Sequence, residues 1–504
     1  MNQEPVREVL VVGGGTAGWM TASALSKLLG PLVTLTLVES DEIGIIGVGE
    51  ATIPHIKTHN TLIGIDEAEF VRETQGTFKL GIEFVDWGRI GESYIHGFGK
   101  LGLDYAGLPF HQYWTRARLA GKAGDFSRYS FNVTACHARK FMSTPVDAPK
   151  GTPLEDIAYA YHFDASLYAR YLRRFAEKAG VHRVEGKVVE VRQDGETGFV
   201  KSVVLASGQE LAADLFIDCT GFRGLLIEET LHSGYQDWTR WLPCNRAFAV
   251  PCANVEPPIP YTRSTARTSG WQWRIPLQNR VGNGYVYSSA FISDEDARAE
   301  LLRNLDGKPL AEPRLVQYTA GRRNEVWKKN VVAIGLSAGF LEPLESTAIH
   351  LIQTSIARLA AMFPRKDMSP PVRDNYNKQV NTEFERIRDF LVLHYHATTR
   401  SDTPFWNHAR TMEVPDGLRE FLELFRDSAR ITPRPDDLFT LPSWVQVMIG
   451  QGVAPRDYPP MVNVISEAEL LKFLGHVELV IQSSVNVMPS HQAFIERNCR
   501  ARPS

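Results

Sequence analysis

The chain has 504 residues, of which 43% are hydrophobic and 22% charged, a globular composition that excludes disordered and collagen-like classes. Lys plus Arg number 55 against 58 for Asp plus Glu, a net charge of −3, so no overall field draws it to nucleic acid or to an anionic membrane. Cys136, Cys219, Cys244, Cys252 and Cys499 form no CxxC pair, and their odd number fits reduced thiols in a soluble, cytoplasmic protein. No basic start followed by an apolar run and a cleavage site is present. The longest later apolar stretch, Val331–Leu341, is about half the ~20 residues a membrane span needs.

In chain order, Val9-Leu10-Val11-Val12 is a β-branched run that ends in Gly13-Gly14-Gly15-Thr16-Ala17-Gly18. Met20, Ala24, Leu25 and Leu28 follow at helical spacing, Gly30-Pro31 stops that helix, and residues 33–38 read as a second buried strand ending at Glu39. This is the opening of a doubly wound dinucleotide-binding sheet. Gly13 allows the tight turn, Gly15 lets backbone approach a pyrophosphate, and Gly18 lets helix and strand pack closely, with the positive helix end facing the anion. Glu39 stands where an acid accepts hydrogen bonds from ribose hydroxyls.

Residues 183–191, 201–205, 211–221 and 330–335 read as further strands, with a helix from about Ser346 to Met362. A sheet drawing strands from near residues 9, 33, 185, 215 and 331 must host insertions, an interleaving typical of FAD-binding monooxygenase-like folds. The expected class is α/β: an FAD-binding, doubly wound Rossmann-like sheet of the flavin monooxygenase type, an inserted second sheet, and a mainly helical C-terminal part. The boundaries expected are 1–364, with insertions at about 60–180 (aromatic-rich) and 225–325, and 365–504 completing a substrate site. Within the last part, Ser466 and Glu469 have capping-box spacing, and His394 and His396 have strand-like spacing with no neighbour suggesting a metal.

Three segments carry candidate chemistry. Lys79, in Phe78-Lys79-Leu80-Gly81-Ile82, is by local default a snorkelling side chain, but burial would make it a tunable amine. Glu345-Ser346-Thr347-Ala348 leads into a helix, as a plain cap or as an anion site with Glu345 facing a pocket. Trp271 and Trp273 share one face of a strand, by default core packing.

Together these segments resemble the flavin-dependent tryptophan halogenases, through nearly the whole chain. The matching residues are the GGGTAGWM opening, Gly47-Val48-Gly49-Glu50-Ala51-Thr52-Ile53-Pro54, Lys79, Trp271-x-Trp273-x-Ile275-Pro276 and Phe340-x-x-Pro343-x-x-Ser346. The resemblance implies that FADH2 from a separate NADH-dependent flavin reductase activates O2, that chloride or bromide becomes hypohalous acid, and that this reaches a distant pocket holding a small aromatic substrate. Lys79 then activates the oxidant, and Glu345 stabilises the cationic ring and takes its proton. Thr347 and Ala348 hold halide through backbone amides. FAD touches Gly13, Gly15, Thr16, Ala17, Gly18, Glu39, Ser40, Ile46, Val48, Ala51, Val188, Leu336 and Ile349. His96 and Phe98 contact the substrate, and Trp271, Trp273, Ile275 and Pro276 keep it from the flavin; apart from the resemblance, Trp444 offers an aromatic wall for the substrate.

There are two departures from the family pattern. Ala348 stands where the halide motif usually has glycine; a positive φ there would cost about 1–2 kcal/mol and weaken halide binding, whereas with an ordinary φ the amides still point correctly and the methyl only narrows the site. The Tyr-Tyr pair and Glu that clamp free tryptophan are missing, since residues 427–465 hold no Glu and only Tyr458 as tyrosine. Indole or another electron-rich aromatic is therefore expected over free tryptophan. The rival readings are an aromatic hydroxylase, opposed by the tryptophan pair, and a non-catalytic flavin-binding protein. The family's homodimers are not tested by the sequence.

Overall fold

The run Glu8–Val12 pairs in parallel with Thr34–Glu39 on one side and Leu215–Asp218 on the other, with Val11 opposite Leu37 and Ile217. Such strands are covered on both faces, which is why they read as continuous apolar runs: Val9, Leu10, Val11 and Val12 are each 3% exposed or less. The full order is Trp327–Lys328, Val331–Ala333, Leu215–Asp218, Glu8–Val12, Thr34–Glu39, His182–Glu185, all parallel except the first. This is the expected doubly wound sheet, gathered from five separated stretches. Helix Thr16–Leu29 makes the crossover between its first two strands.

The computed structural model describes residues 4–42, 49–432 and 434–502. The chain divides into two compact units: Met1–Gly76 with Phe163–Arg240 and Gln317–Glu385, and Thr77–His162 with Trp241–Val316 and Arg386–Ser504. The six-stranded sheet belongs to the first.

Two stretches read as single strands are each two. After His182–Glu185 the Gly186 N–H donates to Glu39 O at 2.8 Å, and the chain leaves for a three-stranded antiparallel sheet that Val188–Gln193 enters. A side chain at Gly186 would meet Leu205 Cδ1 at 2.8 Å, so glycine permits the bend. Likewise Glu210–Ala212 belongs to that small sheet and Leu215–Asp218 to the large one. The break falls at Asp214, whose carboxylate accepts the Arg7 and Glu8 amides at 2.8 and 3.1 Å and pairs with Lys366.

The second unit is built on a seven-stranded sheet ordered Arg314–Gln317, Arg246–Cys252, Val281–Tyr287, Gly270–Pro276, Thr262–Arg267, Gly81–Val85, Ser93–Gly97. Phe248, Val250, Tyr285 and Tyr287 pack beneath helix Asp294–Arg303 through Ala297 and Leu301. The C-terminal part is helical, as expected, with Pro404–Thr411, Asp416–Ser428, Leu441–Gly450, Glu467–Asn486 and His491–Asn498. Ser466 and Glu469 form the expected capping box. His394 and His396 are in the last turn of the 27-residue helix Pro370–His396, not on a strand. The His394 Nδ1–H donates to Phe390 O at 2.8 Å, one helical turn back, so helical periodicity overrides their alternating spacing. The five cysteines are free and buried, and no helix among the described residues is long and apolar enough to cross a membrane.

Candidate active site

In the first unit the glycine turn has the shape a dinucleotide requires. Gly13 sits at φ 111°, and a Cβ on Gly18 would lie 1.8 Å from Gly13 O, so both positions are closed to side chains. Above Gly15, the N-cap of helix Thr16–Leu29, a Cβ would meet nothing within 4 Å, and the first-turn amides of Thr16 and Ala17 begin there. Ala17 abuts the turn Gly335–Ser337, since a Cβ on Gly335 would come 2.8 Å from that of Ala17. That turn carries Leu336 and packs against Ile352, on the same helix as buried Ile349. Glu39 ends its strand with Oε1 accepting from Arg183 Nε at 2.7 Å and Oε2 from Trp19 Nε1 at 3.2 Å. A carboxylate with about four lone-pair sites keeps room for ribose hydroxyls. Ser40 follows half-buried, Ala51 is buried on Gly49–Ala51, and Val188 is half-buried at its strand start. Ile46 and Val48 lie outside the described residues. The open helix terminus, the close glycine turn and the acid at the strand end all fit FAD. On strand Gly49–Ala51, burial pushes the Glu50 carboxyl up to about 7.

The same unit carries the Glu345 segment. The 3-10 turn Pro343–Glu345 holds Glu345 wholly buried, and Ser346 takes the left-handed conformation at φ 59°. Thr347 caps helix Ala348–Ala361 with φ −89°, fully buried and with its Oγ1 lacking any hydrogen-bond partner. The helix starts two residues later than Ser346 because that residue's backbone cannot join it. Ala348 is the first helical residue, outside the positive-φ set, so its methyl carries no backbone strain. Helix Ala348–Ala361 is secured by Glu383, which accepts from His350 Nε2 at 3.0 Å, Thr354 Oγ1 at 2.9 Å and Arg358 Nη1 at 2.5 Å. Although burial opposes it, the bonds and charges of His350 and Arg358 bring the Glu383 carboxyl down to about 2.

Lys79 lies in the second unit. It is 0% exposed, on strand Thr77–Lys79, with its Nζ 5.3 Å from the Phe98 ring centre. Its strand is antiparallel to the one holding His162, with Thr77 opposite His162 and Lys79 opposite Ala160. His162 is fully buried, its Nδ1 2.9 Å from Thr77 Oγ1 and its Nε2 2.9 Å from Thr262 Oγ1. Thr77 donates its own proton to Pro276 O at 2.7 Å, so it accepts from the His162 Nδ1–H, and Thr262 donates to Nε2. Burial, then the Lys79 and His491 charges, hold this imidazole well below its usual value, hence neutral.

Around the lysine strand the unit is aromatic. His96 is 2% exposed, with its ring 5.7 Å from Phe390 and 6.3 Å from Phe439. Phe390 stacks on Phe439 at 3.9 Å and meets the edge of buried Trp444 at 4.9 Å. Gln446 clamps the strand of His96 by bonding both Gly97 N and Gly97 O at 3.1 Å. Trp271 and Trp273 are buried on one strand with ring centres 6.2 Å apart, and Ile275 follows, also buried. The Trp273 ring lies over Gly284 on the neighbouring strand, where a Cβ would meet it at 2.0 Å.

Residues 8–467 match the sequence profile of the family described as Tryptophan halogenase. The chain belongs to the tryptophan halogenase family. This halogenase is 35% identical to the tryptophan 6-halogenase SttH of Streptomyces toxytricini, over 98% of each chain. Among solved structures it is similar to a flavin-dependent halogenase from Xanthomonas campestris, at 47% identity and TM-score 0.96, covering 99% of this chain and 100% of that one. A flavin-dependent halogenase from Brevundimonas sp. BAL3 matches at 43% identity and TM-score 0.93, covering 97% and 99%. The protein is thus an enzyme, a flavin-dependent halogenase.

In this halogenase the structure brings Lys79, His96, Phe98, Trp444 and the Trp271–Pro276 strand into one unit, and Glu345, Thr347, Ala348 and the described residues expected to touch FAD into the other. Sequence reasoning missed His162, Thr77, Phe390, Phe439 and Gln446. Phe390, in Asp389-Phe390-Leu391-Val392-Leu393, reads as ordinary helix core. Gly284 was a usable signal, since a strand glycine often marks a large side chain lying across it.

Proposed function

We propose that the enzyme uses FADH2, delivered by a separate NADH-dependent reductase, and O2 to turn chloride or bromide into hypohalous acid in the cytoplasm, and that it halogenates indole or a related electron-rich aromatic. Reduced flavin supplies the oxygen-activating chemistry; the protein's residues hold, steer and deprotonate. The amides of Thr16 and Ala17 at the helix start hold the pyrophosphate, and Glu39 holds the ribose. The halide rests on the helix start at Thr347 and Ala348. Lys79 donates a hydrogen bond to the oxidant, or carries the halogen as a haloamine. His96, Phe98 and Trp444 grip the aromatic ring by stacking. Glu345 stabilises the cationic ring and takes its proton, help worth about 10²–10⁴-fold.

The observation that carries this reading is the complete burial of Lys79 against the Phe98 ring. A buried amine amid aromatic side chains suits oxidant handling and not solvation of a surface. For the substrate, the support is the missing clamp: Tyr458, the only tyrosine of residues 427–465, is spent on Asn463 Oδ1 at 3.3 Å. A zwitterionic amino-acid group would lose its hydration without partners, at several kcal/mol. The test is mass spectrometry of indole and of tryptophan with FAD, NADH, a flavin reductase and bromide, alongside Lys79→Ala and a halide-free control. Brominated indole, lost in both controls, is expected. Oxygen insertion without halogen, or tryptophan turned over with a KM far below that of indole, overturns the reading.

A further inference from the structure

Apart from these residues, the second unit carries a cavity of about 770 Å³, lined by residues of the segments that end or follow four of its helices. Its wall includes Arg410, Arg426 and Arg456, together with His396, Thr399 and Gln451. Among the described residues that line it, none is a carboxylate. Three guanidiniums around one concavity repel each other, and no opposite charge on the wall offsets this, so the concavity has a positive potential that an anion would neutralise. Arg410 uses an N–H on Asn407 Oδ1 at 2.8 Å; each guanidinium carries five, so donors remain for a ligand.

Gln451 is 2% exposed, and its Nε2 donates to His394 O at 2.7 Å, but its Oε1 has no hydrogen-bond partner. That oxygen is closed to solvent, so the arginines and not Gln451 supply the contacts a ligand would meet. His396 Nδ1 is likewise without a partner, its ring held below its usual pKa by burial and by the Arg426 charge. The volume exceeds what an inorganic ion fills and lies within the range of sites for small organic molecules.

We infer that this cavity binds a small organic oxyanion, held by the guanidiniums of Arg426 and Arg456. This site is separate from the residues assigned to halogenation and does not depend on that assignment.

The test is isothermal titration of the FAD-loaded full chain with glucose 6-phosphate, citrate and, as neutral control, glucose. Saturable binding of glucose 6-phosphate or citrate, and none of glucose, is expected; which of the two binds distinguishes a phosphate from a carboxylate ligand. Arg426→Gln and Arg456→Gln should each weaken binding about 10- to 100-fold, the worth of one charge-assisted hydrogen bond. Arg426→Lys should fall between. Thermal melting of each variant establishes that it is folded, and Arg426→Lys and Arg456→Lys replace a glutamine variant that is not. No saturable binding of either anion, equal binding of glucose, or binding that survives all the arginine substitutions overturns the inference.

Discussion

Replacing Glu383 by glutamine isolates the charge that secures helix Ala348–Ala361. The side chain is 12% exposed and accepts from His350, Thr354 and Arg358, and its carboxyl lies at about 2 against 4.5 for a free glutamate. The fall from 4.5 to about 2, at 1.36 kcal/mol per pH unit, sets an upper bound of about 3 kcal/mol, and about 2–3 kcal/mol is expected after allowing for the partial exposure. The sign follows from the direction. A folded pKa below the unfolded one contributes stability that is fully present above pH 4.5 and is lost as pH falls through 4.5 toward 2. Glu383→Gln should therefore lower the melting temperature by about 4–12 °C at pH 7, at about 2–4 °C per kcal/mol for a unit of this size. The gap should narrow below pH 4.5. Calorimetric melting of both proteins between pH 3 and 8 measures this directly. An unchanged melting temperature at pH 7, or a gap that persists undiminished at pH 3, would refute the reasoning.

Glu50 has the opposite sign: raised to about 7, it costs the folded protein stability as pH climbs from 4.5 through 7. Glu50→Gln should be more stable than the parent by about 1–3 kcal/mol at pH 8 and equal to it below pH 4.5, as read by denaturant unfolding. His162→Phe leaves the Thr77 and Thr262 hydroxyls without their buried partner and loosens the strand that ends in Lys79. Its kcat for indole should fall about tenfold, with KM changed less than about twofold; a KM effect alone would argue against a positioning role. Ala348→Gly should destabilise the helix start by about 0.5–1 kcal/mol and leave the bromide KM within about twofold, because Ala348 is not strained. A tenfold better halide KM in that variant would show that the methyl obstructs the site.

What the sequence determined by itself was whatever a few neighbouring residues decide. The strand–glycine–helix–strand opening at residues 8–39 is legible because β-branched runs, Gly13 and Gly18, and the helical spacing of Met20, Ala24 and Leu25 each limit the backbone locally. The capping box of Ser466 and Glu469 is legible for the same reason. What only the tertiary structure decided are properties set by residues far away in the chain. Lys79, which its neighbours alone leave open to snorkelling, is wholly buried on a strand that pairs with one some 80 residues later, and Phe98 lies against it. The aromatic surround of His96 combines Phe390, Phe439 and Trp444 from three different segments of the helical region. Whether Ala348 costs strain depended on its φ, which the left-handed turn at Ser346 sets just before the helix begins. Backbone preference acts over a turn or two, whereas burial, ring stacking and pKa are fixed by whichever distant segments the fold brings into contact.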